Sequence, residues 1–255
     1  MNAKSAPERT QGPSVTSRVV SVLDSFDAEH PAQTLTQLSR RAGLPLTTAH
    51  RIVVELQLTT VLTRRSDGRY VIGRKLWDLG LLAPVNRELR EAALPPMQDV
   101  FDATRENVHL AIRDGSTVLF VERISTRRPA NIITEPGRRL PLHATGVGKV
   151  LLAYAPETVT GRVVADLQAY TPNTVADEVS LRTELAAVRS RGYAVTVQEL
   201  SLGLSSVGVP VLGPVGDVVA ALGLVVPGAR GDMARLAPVL QVAARAITRQ
   251  LSPYR

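Results

Sequence analysis

The chain has no cysteine. That single absence removes disulfides, thiol nucleophiles and cysteine-ligated zinc. Its four histidines, His30, His50, His109 and His143, are neither spaced at i, i+4 nor set beside carboxylates in a metal-ligand pattern, so no metal site is expected. No apolar run approaches the roughly 18 residues needed to span a bilayer. The opening MNAKSAPERTQGP has no apolar stretch of the kind that marks a signal peptide, and residues 1–13 are expected to form a disordered arm. These absences point to a cytoplasmic protein with no membrane partner. A serine nucleophile prefers a G-x-S-x-G elbow, but GLSSVG (203–208) misses the second glycine by one place. Acids such as Glu106, Glu122 and Glu199 could pair in space, but most residues of that kind are solvated surface. No catalytic residue and no cofactor is expected.

What the chain does have is positive charge in one place. Residues 1–90 carry 13 Lys/Arg against 8 Asp/Glu, while the remaining 165 residues carry 17 against 15. The amino-terminal third therefore holds most of the basic excess, as a polyanion-binding domain would.

Apolar positions Val15, Val19, Val22, Leu23 and Phe26 form a helical stripe over about residues 14–28. In TLTQLSRRAGLPLTTAHRIVVELQ, Thr34 is a plausible N-cap, with Leu35, Leu38 and Ala42 on one helix face. Gly43 breaks that helix, and a second begins at once with Ala49, Ile52, Val53 and Leu56 buried; its first turn tolerates Pro45. So short a glycine turn predicts a helix-turn-helix, with Ser39 small enough to permit close approach. Next, VLTRRSDGRYVIG reads as two short strands joined through Ser66-Asp67-Gly68 with φ > 0 at the Asp-Gly pair, a wing. Residues 14–73 are thus expected to be a winged helix-turn-helix and 74–94 a linker helix carrying Trp77, interrupted by Pro84.

Beyond Pro95-Pro96 strands and helices mix. A hairpin turning at Asp114-Gly115, a strand over 131–135, helices near 146–155, 157–167 and 177–191, and strands YAVTVQ, SVGVPVL and VVAALGLVV precede a last helix over about 232–251 with a possible kink at Pro238. Residues 95–255 are expected to be an α+β domain with a mainly antiparallel sheet.

The stretch HATGVGKV (143–150) has the look of a phosphate loop but fails the test for one. The first glycine of G-x-x-x-x-G-K-[ST] is His143 here, and the magnesium-binding hydroxyl is Val150.

On the second helix of the helix-turn-helix the buried stripe leaves Thr47, Thr48, His50 and Arg51 facing outward, where they would enter a major groove. Arginine forks onto guanine, and threonine offers a hydroxyl and a methyl. Arg64, Arg65 and Arg69 on the wing would meet phosphates.

Taken with SRVVSVLDSF, GRYVIGRKLWDLG, RGYAV and GLSSVGVPV, the helix-turn-helix segment and above all RRLPLHATGVGKVLLAY resemble the IclR-type (isocitrate lyase regulator type) bacterial transcription regulators. The resemblance covers nearly the whole chain after the arm. It implies an amino-terminal winged helix that binds a palindromic double-stranded DNA operator as a dimer, a linker helix, and a GAF-like carboxy-terminal domain for a small effector, in a homodimer or homotetramer. It also assigns effector contacts to Leu142, Gly146, Val147, Gly148, Thr196, Ser205, Ser206, Gly223 and Val225. The N–H groups near Gly146 and Gly148 are expected to be open to a carboxylate, with His143 and Lys149 structural. The family often carries D-x-E-E after RGYAV, where this chain has Thr196, Val197, Gln198 and Glu199; it has Ser206 for a cysteine, and Gly223 and Val225 for serines. The pocket should therefore be less polar than in members that bind short oxo-acids, with room at Gly223 for a flat ring. That favours a monocarboxylate or amide with an apolar or aromatic body. Two alternatives stand beside this reading: a metabolic enzyme with a basic phosphate-binding surface, and an effector-independent repressor.

Overall fold

Helix α1 (Val15–Asp24) starts where Ser14 accepts the N–H of Ser17, and it stops short of the expected end near residue 28 because Ser25 turns its hydroxyl back onto the carbonyl of Val22. The computed structural model describes residues 13–27, 29–81, 86–125, 135–228 and 233–251, so the expected arm lies almost wholly outside the described residues. Helix α2 (Leu35–Arg41) opens on a full capping box, with Thr34 and Gln37 satisfying each other's backbone N–H. Gly43, at φ +65°, takes the left-handed conformation that the turn requires. Ser39 Oγ donates to the carbonyl of Leu44 at 2.7 Å and ties the turn together. Helix α3 (Leu46–Leu58) follows, and its Ala49, Ile52, Val53 and Leu56 close a core with Val22 and Leu38.

Strands β1 (Ala32–Gln33), β2 (Leu62–Arg64) and β3 (Tyr70–Ile72) form an antiparallel sheet in the order β1-β3-β2. The wing turn differs from the expected Asp-Gly geometry. Only Gly68 has positive φ, and Arg65 N–H bonds the carbonyl of Arg69, so the loop is the longer kind in which a single left-handed glycine closes the hairpin. Helix α4 (Arg74–Leu81) comes next.

The chain divides into two units, residues 1–85 and 86–255. Helix α5 (Arg87–Thr104) opens the second and runs straight through Pro95 and Pro96, where the sequence suggested a change of texture. Two prolines leave the carbonyls of Glu91 and Ala92 without their helical donors. Burial of Leu89, Ala92, Ala93, Met97 and Val100 offsets that loss.

The second unit is built on a six-stranded sheet in the order β6-β5-β4-β9-β8-β7, antiparallel at every pairing. Its strands are β4 (Asn107–Asp114), β5 (Thr117–Ile124), β6 (Arg139–Pro141), β7 (Ala194–Val197), β8 (Leu204–Leu212) and β9 (Val218–Pro227). The first hairpin turns at Gly115-Ser116, one residue later than expected, because Asp114 still pairs with Thr117. Most of the expected strand 131–135 lies outside the described residues. One sheet face packs Val108, Leu110, Val207, Val209, Leu222 and Leu224 against α5 and helix α9 (Ala237–Leu251). A short 3-10 helix (Met233–Leu236) precedes α9, so Pro238 falls in the first turn of α9 and need not kink it. The other face carries helices α6 (Gly146–Ala153), α7 (Glu157–Val164) and α8 (Glu178–Arg191). The fold is α+β. No helix among the described residues is long and apolar enough to cross a membrane.

Candidate functional sites

Two places on the chain carry side chains that packing does not use up. The first is the outer face of α3. Because Ala49, Ile52, Val53 and Leu56 are buried, the helical period turns Thr47, His50 and Arg51 to solvent and leaves Thr48 half-buried. Arg64, Arg65 and Arg69 are exposed on the wing. Arg65 lies 3.9 Å from Asp67, and Arg64 sits 5.7 Å over the Tyr70 ring. Among the described residues Arg51 and Arg69 have no carboxylate within ion-pair distance, which leaves their charge available to a polyanion.

The second place is a cavity of about 50 Å³ between α6 and the sheet. Strand alternation and register explain its walls. His109 on β4 lies opposite Gly223 on β9, which lies opposite Gly208 on β8; one step along, Asn107, Val225, Ser206 and Thr196 form the adjacent row. Of the nine effector contacts taken from the resemblance, Val147, Thr196, Ser205, Ser206, Gly223 and Val225 line this cavity. Leu142, Gly146 and Gly148 do not: Leu142 is packed in the core beneath α6, and the two glycines are closed over by their neighbours. A sequence reading without pairing register had no route to His109, Phe120, Leu140, Leu200 or Leu204, which also line it. The one available signal was a histidine alternating with apolar residues in VHLAI.

The N–H groups of Gly146 and Gly148 are not open to an anion. Gly146 N–H donates to Ser206 Oγ at 2.9 Å, Gly148 N–H to Thr145 Oγ1 at 3.1 Å, and Ser206 in turn bonds Thr196 at 2.6 Å. The N–H groups of both glycines are satisfied by the fold itself. The room expected at Gly223 is also taken. A Cβ there would lie 2.6 Å from Val147 Cγ1 and 2.9 Å from the carbonyl of Val207, and one at Gly208 would lie 2.7 Å from the backbone of Gly146 and Val147. These glycines let α6 lie directly on β8 and β9.

Lys149 is almost fully buried and its Nζ meets Glu199 Oε1 at 2.6 Å. Glu199, in sequence only one of several acids able to pair in space, is thus the acid that holds α6 to the segment after β7. His143 is buried, and its Nε2–H donates to the carbonyl of Gln168 at 2.9 Å, a structural bond.

Burial, with a contribution from the nearby Arg123 cation, pushes the His109 imidazole down to about 3. The ring is therefore neutral at physiological pH. Since the unfolded chain binds a proton near pH 6.5 and the folded chain does not, this residue stabilises the fold fully above pH 6.5, and the stabilisation is lost as pH falls from 6.5 toward 3. Over that window the wild type should lose about 1.4 kcal/mol per pH unit more than His109→Gln. Urea unfolding of both proteins at pH 7, 6 and 5 checks this, and parallel pH profiles would contradict it.

Among the described residues no group of three His, Cys, Asp or Glu side chains is placed to hold a metal ion. Comparison with known proteins agrees with the two-part architecture. The family described as "IclR helix-turn-helix domain" matches residues 15–64, and that described as "Bacterial transcriptional regulator IclR C-terminal" matches residues 83–252. The chain is 32% identical over 240 residues to the HTH-type transcriptional regulator XynR of Escherichia coli K12, covering 92% of this chain and 95% of that one. It is 28% identical to the HTH-type transcriptional repressor AllR of the same strain, over 88% of this chain and 84% of the repressor. Among solved structures, an IclR homolog from Microbacterium hydrocarbonoxydans complexed with 4-hydroxybenzoate superposes with a TM-score of 0.87 at 36% identity, covering 93% of this chain and 99% of that one. The IclR of Thermotoga maritima superposes with a TM-score of 0.74 at 26% identity, covering 93% and 98%. These relatives are regulators and not enzymes. The chain belongs to the IclR family of bacterial transcriptional regulators, with a helix-turn-helix DNA-binding domain ahead of an IclR carboxy-terminal domain.

Proposed function

We propose that this regulator binds a two-fold symmetric DNA operator through α3 and the wing, as a homodimer or a dimer of dimers, and that a small monocarboxylate or amide with an apolar or aromatic body controls it from the cavity beneath α6. The observation that carries the DNA half is the division of α3 into a buried stripe and an outward Thr47, His50 and Arg51. A helix of that kind, flanked by an arginine-bearing wing, reads base edges with its first turns while the wing grips phosphates.

Selection of bound sequences from random duplex DNA should return an inverted repeat, and light scattering should give a dimer or tetramer. Arg51→Ala should then cost about 1 to 3 kcal/mol of discrimination at one base position in each half-site. Arg64→Ala or Arg69→Ala should weaken all sequences alike and lower the salt slope by about one per lost phosphate contact. A monomer that saturates a single half-site, or an unchanged base preference in Arg51→Ala, would contradict the reading.

The effector half rests on the character of the cavity. Its lining is mostly apolar, with Phe120, Leu140, Leu200 and Leu204 set around the paired hydroxyls of Thr196 and Ser206. That composition suits a ring or short chain bearing few polar groups, and a similar protein was crystallised with 4-hydroxybenzoate. At about 50 Å³ the cavity has space for a few waters, whereas a benzene ring fills an engineered cavity of about 150 Å³. Binding must therefore widen it. The glycine contacts fix α6 against β8 and β9, and Lys149, Thr171 and Thr174 anchor Gln198 and Glu199, so the yielding wall is the tip of the turn at Leu200 and Ser201. Aromatic acids should raise the thermal midpoint more than glyoxylate, pyruvate or sugars do. Greater stabilisation by the short oxo-acids or sugars would overturn this half of the proposal.

A further inference from the structure

Behind His109, next to the cavity lining but not part of it, the sheet places a buried donor and a buried acceptor that have no partner among the described residues. Arg123 lies opposite His109 in the β4–β5 register, and His109 lines the cavity. Strand alternation sends Asn107, His109 and Arg123 to the α6 face of the sheet, away from Val108 and Leu110, which fill the opposite core. Arg123 Nη1 and Asn107 Oδ1 are both buried, and neither has a hydrogen-bond partner among the described residues. The adjacent acid does not supply one: the Glu122 carboxylate takes the Arg90 guanidinium at 2.7 and 3.1 Å and the backbone N–H of Arg123. An imidazole is either neutral or cationic, so His109 supplies no counter-charge.

A guanidinium edge taken out of water without an acceptor is costly, and such groups are found paired when the functional state is complete. We propose that Arg123 is the residue that holds the effector's carboxylate, with Asn107 Oδ1 accepting from a donor on the same ligand when it has one. This deepens the effector reading above and rests on it. The hydroxyl pair Thr196 and Ser206 marks the other end of the site. Arg123 on β5 and Ser206 on β8 are separated by β4 and β9, so their backbones stand three strand spacings apart, about 14 Å. The length of the arginine side chain narrows that gap, and a para-substituted benzene ring with a hydrogen bond at each end covers the rest. An aromatic acid with a para donor or acceptor therefore fits better than a short oxo-acid, which would reach one end only.

The test is calorimetry on the full chain with 4-hydroxybenzoate and with 4-hydroxybenzamide, its uncharged isostere. Wild type should prefer the acid, and Arg123→Met should weaken the acid by about 10- to 100-fold, the range of a charge-assisted bond, while leaving the amide within about two-fold. Arg123→Lys should recover part of the preference, since it keeps the charge without the fork. The melting point of ligand-free Arg123→Met should be no lower than that of wild type, because the change removes an unpaired buried donor. Equal affinity of wild type and Arg123→Met for the acid would overturn the assignment and leave the effector reading standing, as would a wild type that does not prefer acid to amide. A wild type that binds no aromatic acid would overturn both.

Discussion

Lys149→Met should destabilise the carboxy-terminal unit by about 3 to 5 kcal/mol, the usual cost of removing one partner from a buried ion pair. The side chains of Lys149 and Glu199 are 1% and 8% exposed, and their 2.6 Å contact is the only hydrogen bond to the Glu199 carboxylate among the described residues, since Oε2 has none. Without the lysine, that carboxylate stays in the interior with nothing to balance it. For a unit of this size the loss corresponds to a fall of about 10 °C in the melting midpoint. The double variant Lys149→Met with Glu199→Leu should recover most of it, because two apolar side chains of similar length do not carry the desolvation cost. A single-variant loss below about 1 kcal/mol, or a double variant no better than the single, would contradict a dry pair.

Gly208→Val should be nearly as damaging, at about 3 kcal/mol, near the upper end of overpacking. The atoms that a Cβ would strike, Gly146 C and O and Val147 N, are backbone, so no rotamer change relieves the clash. Helix α6 would have to lift from β8, breaking the Gly146 N–H to Ser206 bond and opening the cavity wall. Gly161→Ala on α7 is the matched control. That glycine is exposed, with nothing within 4 Å of the place a methyl group would take, and the change should stabilise by about 0.4 to 1 kcal/mol. Thermal unfolding of both variants checks the pair of outcomes; a Gly208→Val protein as stable as wild type would mean that α6 does not lie directly on the sheet.

How much of this was legible beforehand depends on the range of the interaction. The helix-turn-helix could be read because its determinants are local: Thr34 with Gln37, Gly43 after Ala42, and the stripe from Ala49 to Leu56 lie within a few residues of one another. The effector cavity was legible only in part. His109, Gly223 and Gly208 are neighbours through register across three strands, and register is set by pairings far apart in sequence. Gly146, Gly148 and Gly223 stood out, yet whether they opened space for a ligand or closed space for a helix depended on Val147 and Val207 filling it, with Gly208 beside them unremarked. Glu199 carried no local mark of burial; its partner lies fifty residues earlier. Pro95-Pro96 looked like a boundary because local rules disfavour proline inside a helix, and tertiary burial overrides that rule here.

One small molecule, seated beneath α6, is expected to change this protein's grip on DNA. The direct measurement is a fluorescence-anisotropy titration of a labelled duplex carrying the selected inverted repeat, at fixed salt, with and without saturating 4-hydroxybenzoate or whichever aromatic acid stabilises the protein most. A coupling of about 1 to 3 kcal/mol predicts a shift of at least five-fold in operator affinity, reduced in Arg123→Met at limiting acid. An operator affinity that stays the same while calorimetry records the acid bound to the protein would contradict the claim.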